Sequence, residues 1–399
     1  MYDAIVVGAR CAGSPVAMLL ARSGHRVLLV DRATFPSDTP STHYVQQRGL
    51  LLLRKWGLLD RLVETKCAPI THMTISRDDS VISGFADPVD GITEAYAPRR
   101  TVLDKLLLDA AVEAGAEVRE GYPVREIIVE DGRAVGIRGQ YAGGELTEDR
   151  ASIIIGADGR GSVVATAMEA PFYNVVPAAS FIYYSYYSGL NWSFNSRFRG
   201  DQQAAGWPTH DGLTLVAIMR RRERFEEFRA DPEGSFTEVL RAVVPDLAAD
   251  LAANGTREER LYSVRYPDNY YRRCHGPGWA LVGDAGYHKD PVTGQGISDA
   301  FEHAELVAEA VHEGLSGQRP MEEALAAFER HRDEESAAVY KLTCALSELA
   351  FPPDVAAVLD ALPGNPAART EFFGLIAGAV KAADFFAPAK VAKLLGSSA

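Results

Sequence analysis

Three short runs of apolar residues, each followed by a glycine turn, stand out along the chain. They are residues 4–7, 152–155 and 279–282. Uninterrupted runs of this length are typical of parallel strands that are buried on both faces. The first run is followed by a helical pattern over residues 14–22 and a second strand over 26–30. The N-terminus therefore predicts a strand-helix-strand unit of about thirty residues.

A different pattern occupies residues 175–219. Residues 181–187 and 213–219 are rich in aromatic and β-branched side chains, which predicts strands of a separate antiparallel sheet. Because alternate residues of a strand point to opposite faces, we expect Tyr184 and Tyr186 to share one face. The sequence therefore predicts a second sheet inserted between the elements of the first.

Helical patterns dominate the remainder of the chain. We predict helices over residues 221–229, 235–253, 294–315 and 321–349, with shorter helices up to the C-terminus. Strands that alternate with helices, together with an inserted antiparallel segment, place the chain in the α/β class.

Composition and charge disfavour several classes of function. The chain has 399 residues and a formal net charge of -13, which disfavours a nucleic-acid-binding protein because such proteins usually carry a basic patch. The four cysteines are scattered without paired spacing, so we predict reduced thiols and no metal site. The sequence shows no secretory signal and no apolar run long enough to span a membrane. We therefore expect a cytoplasmic protein.

The turn after the first strand resembles a dinucleotide-binding turn. Gly8 and Gly13 are its outer glycines, and Arg10 stands where the middle glycine usually lies. The following helix N-terminus offers amide donors to a pyrophosphate. Asp31, at the end of the second strand, is placed to accept hydrogen bonds from a ribose. This turn alone does not distinguish FAD from NAD, and a structural turn without a nucleotide is the alternative.

The segment that starts at Gly283 points to a flavin. Asp284 follows a buried strand, where a carboxylate is costly unless it is hydrogen-bonded, and ribityl hydroxyls would satisfy it. Pro291 stiffens the loop, and Gly294 and Gly296 leave backbone amides bare at a helix start. Such amides can stabilise negative charge on a reduced flavin. The alternative is a glycine-rich helix start that serves close packing only.

These motifs, in this order, resemble those of the single-component FAD-dependent monooxygenases, the aromatic hydroxylases with the para-hydroxybenzoate hydroxylase fold. The resemblance covers roughly residues 1–315 and includes an Asp-Gly motif at Asp158 and Gly159 and a helix start at Arg100. The residues that we assign to cofactor binding are Gly8, Arg10, Cys11, Ala12, Gly13, Asp31, Arg32, Thr42, Val45, Arg100, Asp158, Gly159, Gly283, Asp284, Gly294, Gln295 and Gly296.

The resemblance implies a discontinuous Rossmann-like FAD-binding domain, an inserted antiparallel β-sheet substrate domain and a helical C-terminal region. We assign residues 1–70, 98–170 and 275–315 to the FAD-binding domain, 71–97 and 171–274 to the substrate domain, and 316–399 to the C-terminal region. The C-terminal helices are expected to close the pocket or to form the face of a homodimer.

Four positions depart from the family pattern. Besides Arg10, Tyr287 stands where the family has a histidine, Ala165 where an arginine usually ends the Asp-Gly motif, and Thr42 where an arginine often contacts the FAD phosphate. Because Ala165 replaces that arginine, the resemblance does not establish whether the protein uses NADPH.

The resemblance also implies a reaction. NAD(P)H reduces FAD, O2 adds to flavin C4a, and the resulting hydroperoxide hydroxylates or epoxidises an aromatic or polyketide-like small molecule. The protein must exclude water and hold the substrate near the flavin. We expect Pro291 to line the reaction site and His43 to polarise the substrate or to cap the helix near Gln47.

Tyr184, Tyr186, Trp192 and Trp207 are candidates for walls of the substrate pocket, with ordinary aromatic packing as the alternative. His210 lies in a predicted turn, where we expect it to be solvated.

Three rival functions remain. A flavin-dependent halogenase would carry a Trp-x-Trp-x-Ile-Pro motif and a pocket lysine, and the sequence has neither. A prenyl-chain reductase or another dehydrogenase on the same scaffold would transfer hydride without an oxygen adduct, and the sequence excludes it only weakly. A non-catalytic FAD-binding protein is disfavoured by the intact flavin motifs.

Overall fold

The computed structural model describes residues 1–396, so the last three residues of the predicted C-terminal region, 397–399, lie outside it. The strands, in chain order, are β1 (Tyr2–Val7), β2 (Val27–Val30), β3 (Pro69–Ile70), β4 (Met73–Arg77), β5 (Ser80–Gly84), β6 (Ala95–Tyr96), β7 (Glu117–Arg119), β8 (Val124–Glu130), β9 (Arg133–Gly139), β10 (Thr147–Gly156), β11 (Phe172–Val176), β12 (Ser180–Ser188), β13 (Phe194–Arg199), β14 (Gln202–Pro208), β15 (Thr214–Arg221), β16 (Thr256–Arg257), β17 (Tyr262–Arg265), β18 (Asn269–Arg272), β19 (His275–Gly276), β20 (Trp279–Leu281) and β21 (Tyr287–His288).

The helices, in chain order, are α1 (Gly13–Arg22), α2 (Gln47–Lys55), α3 (Leu59–Glu64), α4 (Arg100–Glu113), α5 (Val163–Ala167), α6 (Phe225–Ala230), α7 (Pro232–Val243), α8 (Pro245–Asn254), α9 (Gly296–Leu315), α10 (Met321–Ser347), α11 (Pro353–Ala361), α12 (Pro366–Ile376), α13 (Ala382–Phe385) and α14 (Pro388–Leu394). Short 3₁₀ turns cover His210–Gly212, Arg222–Arg224, Gly283–Ala285 and Pro291–Thr293.

The first sheet has the strand order β19-β20-β10-β1-β2-β7, and β1, β2, β7, β10 and β20 run parallel. Every residue of β2 is buried, which matches the uninterrupted apolar sequences of these strands. Helix α1 packs against α4 and α9. The carboxyl ends of β1, β10 and β20 therefore meet at one edge, where ligands of such folds bind.

The second sheet has the order β16-β12-β15-β14-β13-β4-β5, with β17 paired to β12. Its pairs are antiparallel except for β4 and β13. Tyr184 and Tyr186 face one hydrophobic cluster, whereas Phe181 and Tyr183 face another that contains residues of α6 and α7. The predicted alternation along β12 and the α/β fold with an inserted antiparallel sheet are confirmed.

The C-terminal helices cover the face of the second sheet that carries Tyr184. Val358 and Leu359 of α11, Phe373 and Leu375 of α12 and Phe385 of α13 belong to the same buried cluster as this face. Helix α10 bridges the two parts of the molecule, because it packs against α9 and its Ala338 and Leu342 pack against the cluster on the second sheet. The helical C-terminal region is thus built over the sheet, and a cavity remains between them.

Three predicted helix boundaries were wrong. The helix predicted over residues 235–253 is two helices, α7 and α8, because Pro245 lacks the amide hydrogen that a continuous helix would need. The helix predicted from residue 221 begins at Phe225, because strand β15 continues to Arg221. Helix α9 begins at Gly296, two residues later than predicted.

Within residues 1–396, no helix combines the length and the apolar character that crossing a bilayer would need. The same residues hold no group of three or more metal-ligating side chains, and all four cysteines are free and buried.

Candidate functional site

The turn between β1 and α1 is shaped by two glycines. Gly8 has a φ of +103°, and a Cβ there would collide with the carbonyl oxygen of Ala157, the residue after β10. A Cβ on Gly13 would collide with the carbonyl oxygen of Gly8. The N-terminus of α1 has no side-chain cap and no acidic residue in its first turn. The amide of Ser14 bonds to the carbonyl of Arg10 and Pro15 has no amide hydrogen, so the amide of Gly13 is the one in this turn that an anionic ligand can use.

A buried carboxylate beside this turn forms ion pairs with two guanidinium groups. Asp104, on α4, lies 2.6 Å from Arg10 and 2.9 Å from Arg100 and accepts a hydrogen bond from the thiol of Cys11. Arg10 also donates to the backbone oxygen of Ser37. Arg10 therefore points toward α4 and the loop after β2. Because two cations share one anion, the cluster keeps a net positive charge next to the turn.

Asp31 is fixed at the carboxyl end of β2. One carboxylate oxygen accepts a hydrogen bond of 2.7 Å from the amide of Ala9, and the other accepts one of 2.8 Å from Ala33. The carboxylate is thereby oriented by the backbone, and each oxygen keeps a lone pair for a ribose hydroxyl. The neighbouring Arg32 is exposed.

The two glycine turns, far apart in sequence, meet in space. A Cβ on Gly283 would lie 2.9 Å from the Cβ of Ala12. The side chain of Asp284 is 48% exposed and lies 3.5 Å from Nδ1 of His288, so a ligand that crosses the two turns can reach it. Tyr270 donates its hydroxyl to the backbone oxygen of Asp284 and holds the turn in place.

Asp158 and Gly159 follow β10 at the same edge of the sheet. Oδ2 of Asp158 accepts from the amide of Val163 at 2.6 Å, whereas the buried Oδ1 has no partner in the protein. Burial raises the pKa of Asp158, and hydrogen bonds from Ser162 and Val163 only partly offset this. A Cβ on Gly159 would meet open space. An unpaired buried acceptor beside open backbone fits a polar ligand at this point.

The loop before α9 places bare amides at the helix start. Gly294 has a left-handed backbone with a φ of +64° and packs against the ring of Tyr44. Gln295 precedes α9 and makes no side-chain cap, and a Cβ on Gly296 would meet open space. The first turn of α9 is thus open to a ligand that carries negative charge.

A buried ionic cluster supports this helix start. Asp299, in the first turn of α9, pairs with Lys289 and Arg48, and Arg48 also lies 2.5 Å from Glu302. Burial opposes ionisation of Asp299, but Lys289 and Arg48 more than offset burial and hold its pKa well below the usual range. The carboxylate at the helix start is therefore neutralised by its own partners. This cluster was not identified from the sequence, although Lys289 lies between Asp284 and Pro291, which were assigned to the site.

A cavity of about 150 Å³ lies between the second sheet, the C-terminal helices and this loop. Its walls include Thr42, Trp207 and the loop from Pro291 to Gln295, all of which the sequence pointed to. Trp207 donates its indole hydrogen to the backbone oxygen of Thr42 at 3.1 Å. The roof comes from α10, α11 and α12 and from Phe386 just after α13, so the C-terminal helices close the cavity, which is one of the two roles expected for them.

His43 lies on the other side of the loop that carries Thr42. It has a φ of 60°, is fully buried, and its Nε2 is hydrogen-bonded to the hydroxyl of Tyr186. Burial, followed by Arg100 and Arg99, lowers the pKa of His43 well below its usual value, so the ring is neutral. Its contact is with a strand of the second sheet, and the capping role near Gln47 that we considered is not seen.

Tyr184 and Tyr186 lie on the cavity side of β12 but outside the cavity lining. Tyr184 stacks on Tyr262, with ring centroids 5.2 Å apart, and the guanidinium of Arg99 lies 3.8 Å from the centroid of the Tyr186 ring. Val45 is also outside the lining, since its backbone pairs with Tyr96 in an isolated bridge.

Two expectations about neighbouring residues were wrong. His210 is buried and not solvated, since its Nδ1 accepts from the amide of Arg99 and its Nε2 lies 2.7 Å from the hydroxyl of Thr65. Trp192 packs on the opposite face of the sheet from Trp207 and donates to Asp250, so it cannot wall the cavity.

The comparisons with known proteins agree with this site. Residues 1–343 match the family model described as "FAD binding domain". A digeranylgeranylglycerophospholipid reductase of Methanosarcina mazei is 27% identical over 326 residues, which cover 79% of this chain and 76% of that protein.

Two solved structures share the fold. The flavin-dependent brominase Bmp2 superposes with a TM-score of 0.85 at 17% identity and covers 99% of this chain and 98% of its own. PqsL of Pseudomonas aeruginosa, described as a probable FAD-dependent monooxygenase, superposes with a TM-score of 0.75 at 19% identity, over 93% of this chain and 99% of its own.

The residues at this edge of the sheet fit FAD. The uncapped helix α1 and the positive cluster around Asp104 suit a pyrophosphate, Asp31 suits a ribose, and Asp284 suits the ribityl hydroxyls. With the family model matching 343 of 399 residues, the same assignment follows from sequence. The chain belongs to the FAD binding domain family and has the fold of a flavin-dependent oxidoreductase.

Proposed function

We propose that the protein is an FAD-dependent monooxygenase that uses NAD(P)H and O2 to hydroxylate or epoxidise an aromatic or polyketide-like small molecule in the cytoplasm. Bound FAD would supply the redox chemistry, and the chain would supply the binding site and the environment. The observation that carries the proposal is the chemical character of the cavity beside the loop at Pro291.

The described lining residues offer aliphatic and aromatic side chains, hydroxyls, amides and one guanidinium, that of Arg77. Transfer of an oxygen atom to an electron-rich ring asks little acid–base work of the protein, whereas reduction of a carbon–carbon double bond needs a proton as well as a hydride. The phenol of Tyr44 is a poor proton donor, because burial raises its pKa. This lining therefore favours oxygen transfer.

The chain positions the reacting groups and keeps water away. Pro291 and Val292 would hold the substrate against the flavin, while the roof of α11 and α12 excludes solvent. The uncapped amides at Gly296 would stabilise negative charge on the reduced cofactor. His43 is fully buried and outside the cavity lining, so its neutral ring would support Tyr186 and would not contact the substrate.

A reductase that adds hydrogen to prenyl chains is the second candidate. It is supported by the sequence relatives, which include the digeranylgeranylglycerophospholipid reductase of Methanosarcina mazei. The largely apolar cavity suits an isoprenoid chain as well as an aromatic ring. The two candidates differ in whether oxygen enters the product.

One experiment separates them. Holoenzyme is given NADPH or NADH with 2-naphthol or geranylgeraniol, once under ¹⁸O₂ and once without oxygen, and products are analysed by mass spectrometry. We expect one ¹⁸O atom in the product under ¹⁸O₂ and no product without oxygen. A reaction without substrate corrects for NAD(P)H that is consumed unproductively. A product that gains two hydrogens in the absence of oxygen would reject the monooxygenase in favour of the reductase.

A further inference from the structure

The floor of the cavity is formed by rows of small and large side chains on the second sheet, and these rows limit the shape of the substrate. Neighbouring strands place Ile75, Ser196, Ala205 and Ala217 side by side across the sheet. The rows on either side hold large residues, with Phe194 and Trp207 in one row and Phe198, Gln203 and Met219 in the other. The small side chains of Ser196, Ala205 and Ala217 form a trough between two rows of bulky ones, and Ile75 stands at one end of it.

A buried polar pair joins the trough to the outer row of Gln203. Nε2 of Gln203 donates to Oγ of Ser196 at 2.8 Å, and both residues are more than nine-tenths buried. Because Ser196 accepts in this bond, its own hydroxyl hydrogen is left to donate, and the carbonyl of Gln203 is left to accept. Buried polar groups are costly without partners, so this pair suits a ligand that brings one hydrogen-bonding group.

The one positive charge in the described cavity lining is already paired with carboxylates of the protein. Arg77 is the guanidinium among the described lining residues, and it pairs with Asp360 at 2.5 Å and with Asp78 at 3.1 Å. It lies beside Phe198 in the outer row, away from the middle of the trough. A carboxylate in the trough would therefore lose its hydration without gaining a free cation.

We propose that the substrate is an uncharged, mostly apolar molecule that carries one hydroxyl or carbonyl group. Ser196 and Gln203 bind that group, and Ala205 and Ala217 set the space for the apolar body. This inference rests on the proposed site of reaction but holds for either candidate reaction, since it concerns binding alone.

The test measures binding by calorimetry on the holoenzyme without NAD(P)H, so a failure of turnover does not affect it. The probes are 2-naphthol, 2-naphthoate and naphthalene, and the isoprenoid pair farnesol and farnesoate. We expect at least one of the two alcohols to bind about tenfold or more tightly than its carboxylate. Which alcohol binds distinguishes an aromatic from an isoprenoid substrate. A carboxylate that binds as tightly as its alcohol, or no binding of either alcohol, would overturn the proposal.

Variants locate the interaction. Gln203→Met keeps the length of the side chain, and we expect it to weaken binding of the alcohol about tenfold while binding of naphthalene is unchanged. Ala217→Leu should weaken binding of both the alcohol and naphthalene, because the larger side chain fills the trough. Gln202→Leu is the matched control, because Gln202 is the adjacent residue of β14 and points to the other face. If Gln203→Met and Gln202→Leu bind the alcohol equally well, the assignment of the polar pair is wrong. Circular dichroism confirms that each variant is folded.

Discussion

Asp284 gives the sharpest test of the cofactor site at the scale of a single residue. Its carboxylate is open to a ligand at the point where the two glycine turns meet. Hydrogen bonds to a charged group contribute about 1.5–3 kcal/mol each. We therefore expect Asp284→Ala to weaken FAD binding roughly 10- to 100-fold, measured by titration of the apoprotein with FAD and by flavin fluorescence.

Asp79→Ala is the control for this prediction. Asp79 lies in the turn between β4 and β5, its side chain is fully exposed, and its nearest cation, Arg199, is 3.9 Å away. Removing it takes away one negative charge without touching the glycine turns. Equal FAD affinity of the two variants would show that Asp284 does not hold the ribityl chain.

The sequence predicted the residues of the turns, because positions where two backbones come close require glycine, and glycines at fixed spacing are recognisable. Gly8, Gly13 and Gly283 were recognised in this way, and the structure places them together. Long-range contacts leave no such signature. His210 was expected to be solvated, yet it is buried by Arg99 and Thr65, which come from distant parts of the chain.

At the scale of an element, helix α10 anchors the turn that carries Gly283 and Asp284 through one buried residue. Arg332 donates to the backbone oxygens of Gly286 and Arg272 at 3.2 and 3.1 Å and to the hydroxyl of Tyr173 at 2.5 Å. Its side chain is 1% exposed. We expect Arg332→Met to lower the free energy of unfolding by about 1–3 kcal/mol, because the buried hydrogen bonds of the guanidinium to two carbonyls and to Asp333 are lost. The loss is limited because Asp333 keeps the hydroxyl of Tyr173 and Gly286 keeps the amide of Arg272. Urea denaturation at neutral pH measures this.

Arg330→Met is the comparison, since Arg330 lies on the same helix and is exposed. It should change the free energy of unfolding by no more than about 0.5 kcal/mol. A small effect of Arg332→Met, similar to that of the control, would mean that α10 does not hold the loop through this residue.

Element types were predictable from sequence, whereas the position of the C-terminal helices stayed open between closing the pocket and forming a dimer face. The apolar periodicity of α10, α11 and α12 predicts that each buries a face but does not say which surface it covers. The structure shows that they cover the second sheet and so create the cavity. The break between α7 and α8 was predictable in principle, because Pro245 stands inside the predicted helix.

For the whole molecule, the order of the three motifs predicted the assembly, because parallel strands bring their carboxyl ends to one edge. β1, β10 and β20 are adjacent in the first sheet, so Gly8, Asp158 and Asp284 converge although they are far apart in the chain. The cavity depends instead on contacts between the second sheet and helices that follow it, and no local pattern specifies such contacts.

Buried histidines make the stability of the whole molecule sensitive to acid. Burial lowers the pKa of His43, His210 and His303, whose rings are buried. The pKa of His303 falls to about 3. His43 and His303, with the largest decreases, stay neutral in the folded protein but bind protons in the unfolded chain below about pH 6.5, so stability falls as the pH decreases. Burial raises the pKa of Asp158 and Asp290, which opposes the trend but involves fewer groups.

We expect the free energy of unfolding to fall between pH 7 and pH 5, with about 2 kcal/mol of the loss due to His303 alone. Urea denaturation at pH 5, 6 and 7 measures the slope. The variant His303→Leu should show a shallower slope, because it removes one group that binds a proton only on unfolding, even if its stability at pH 7 is lower. His331→Leu is the control, since His331 is exposed on α10. A free energy of unfolding that is independent of pH over this range would show that the buried rings take up protons without unfolding.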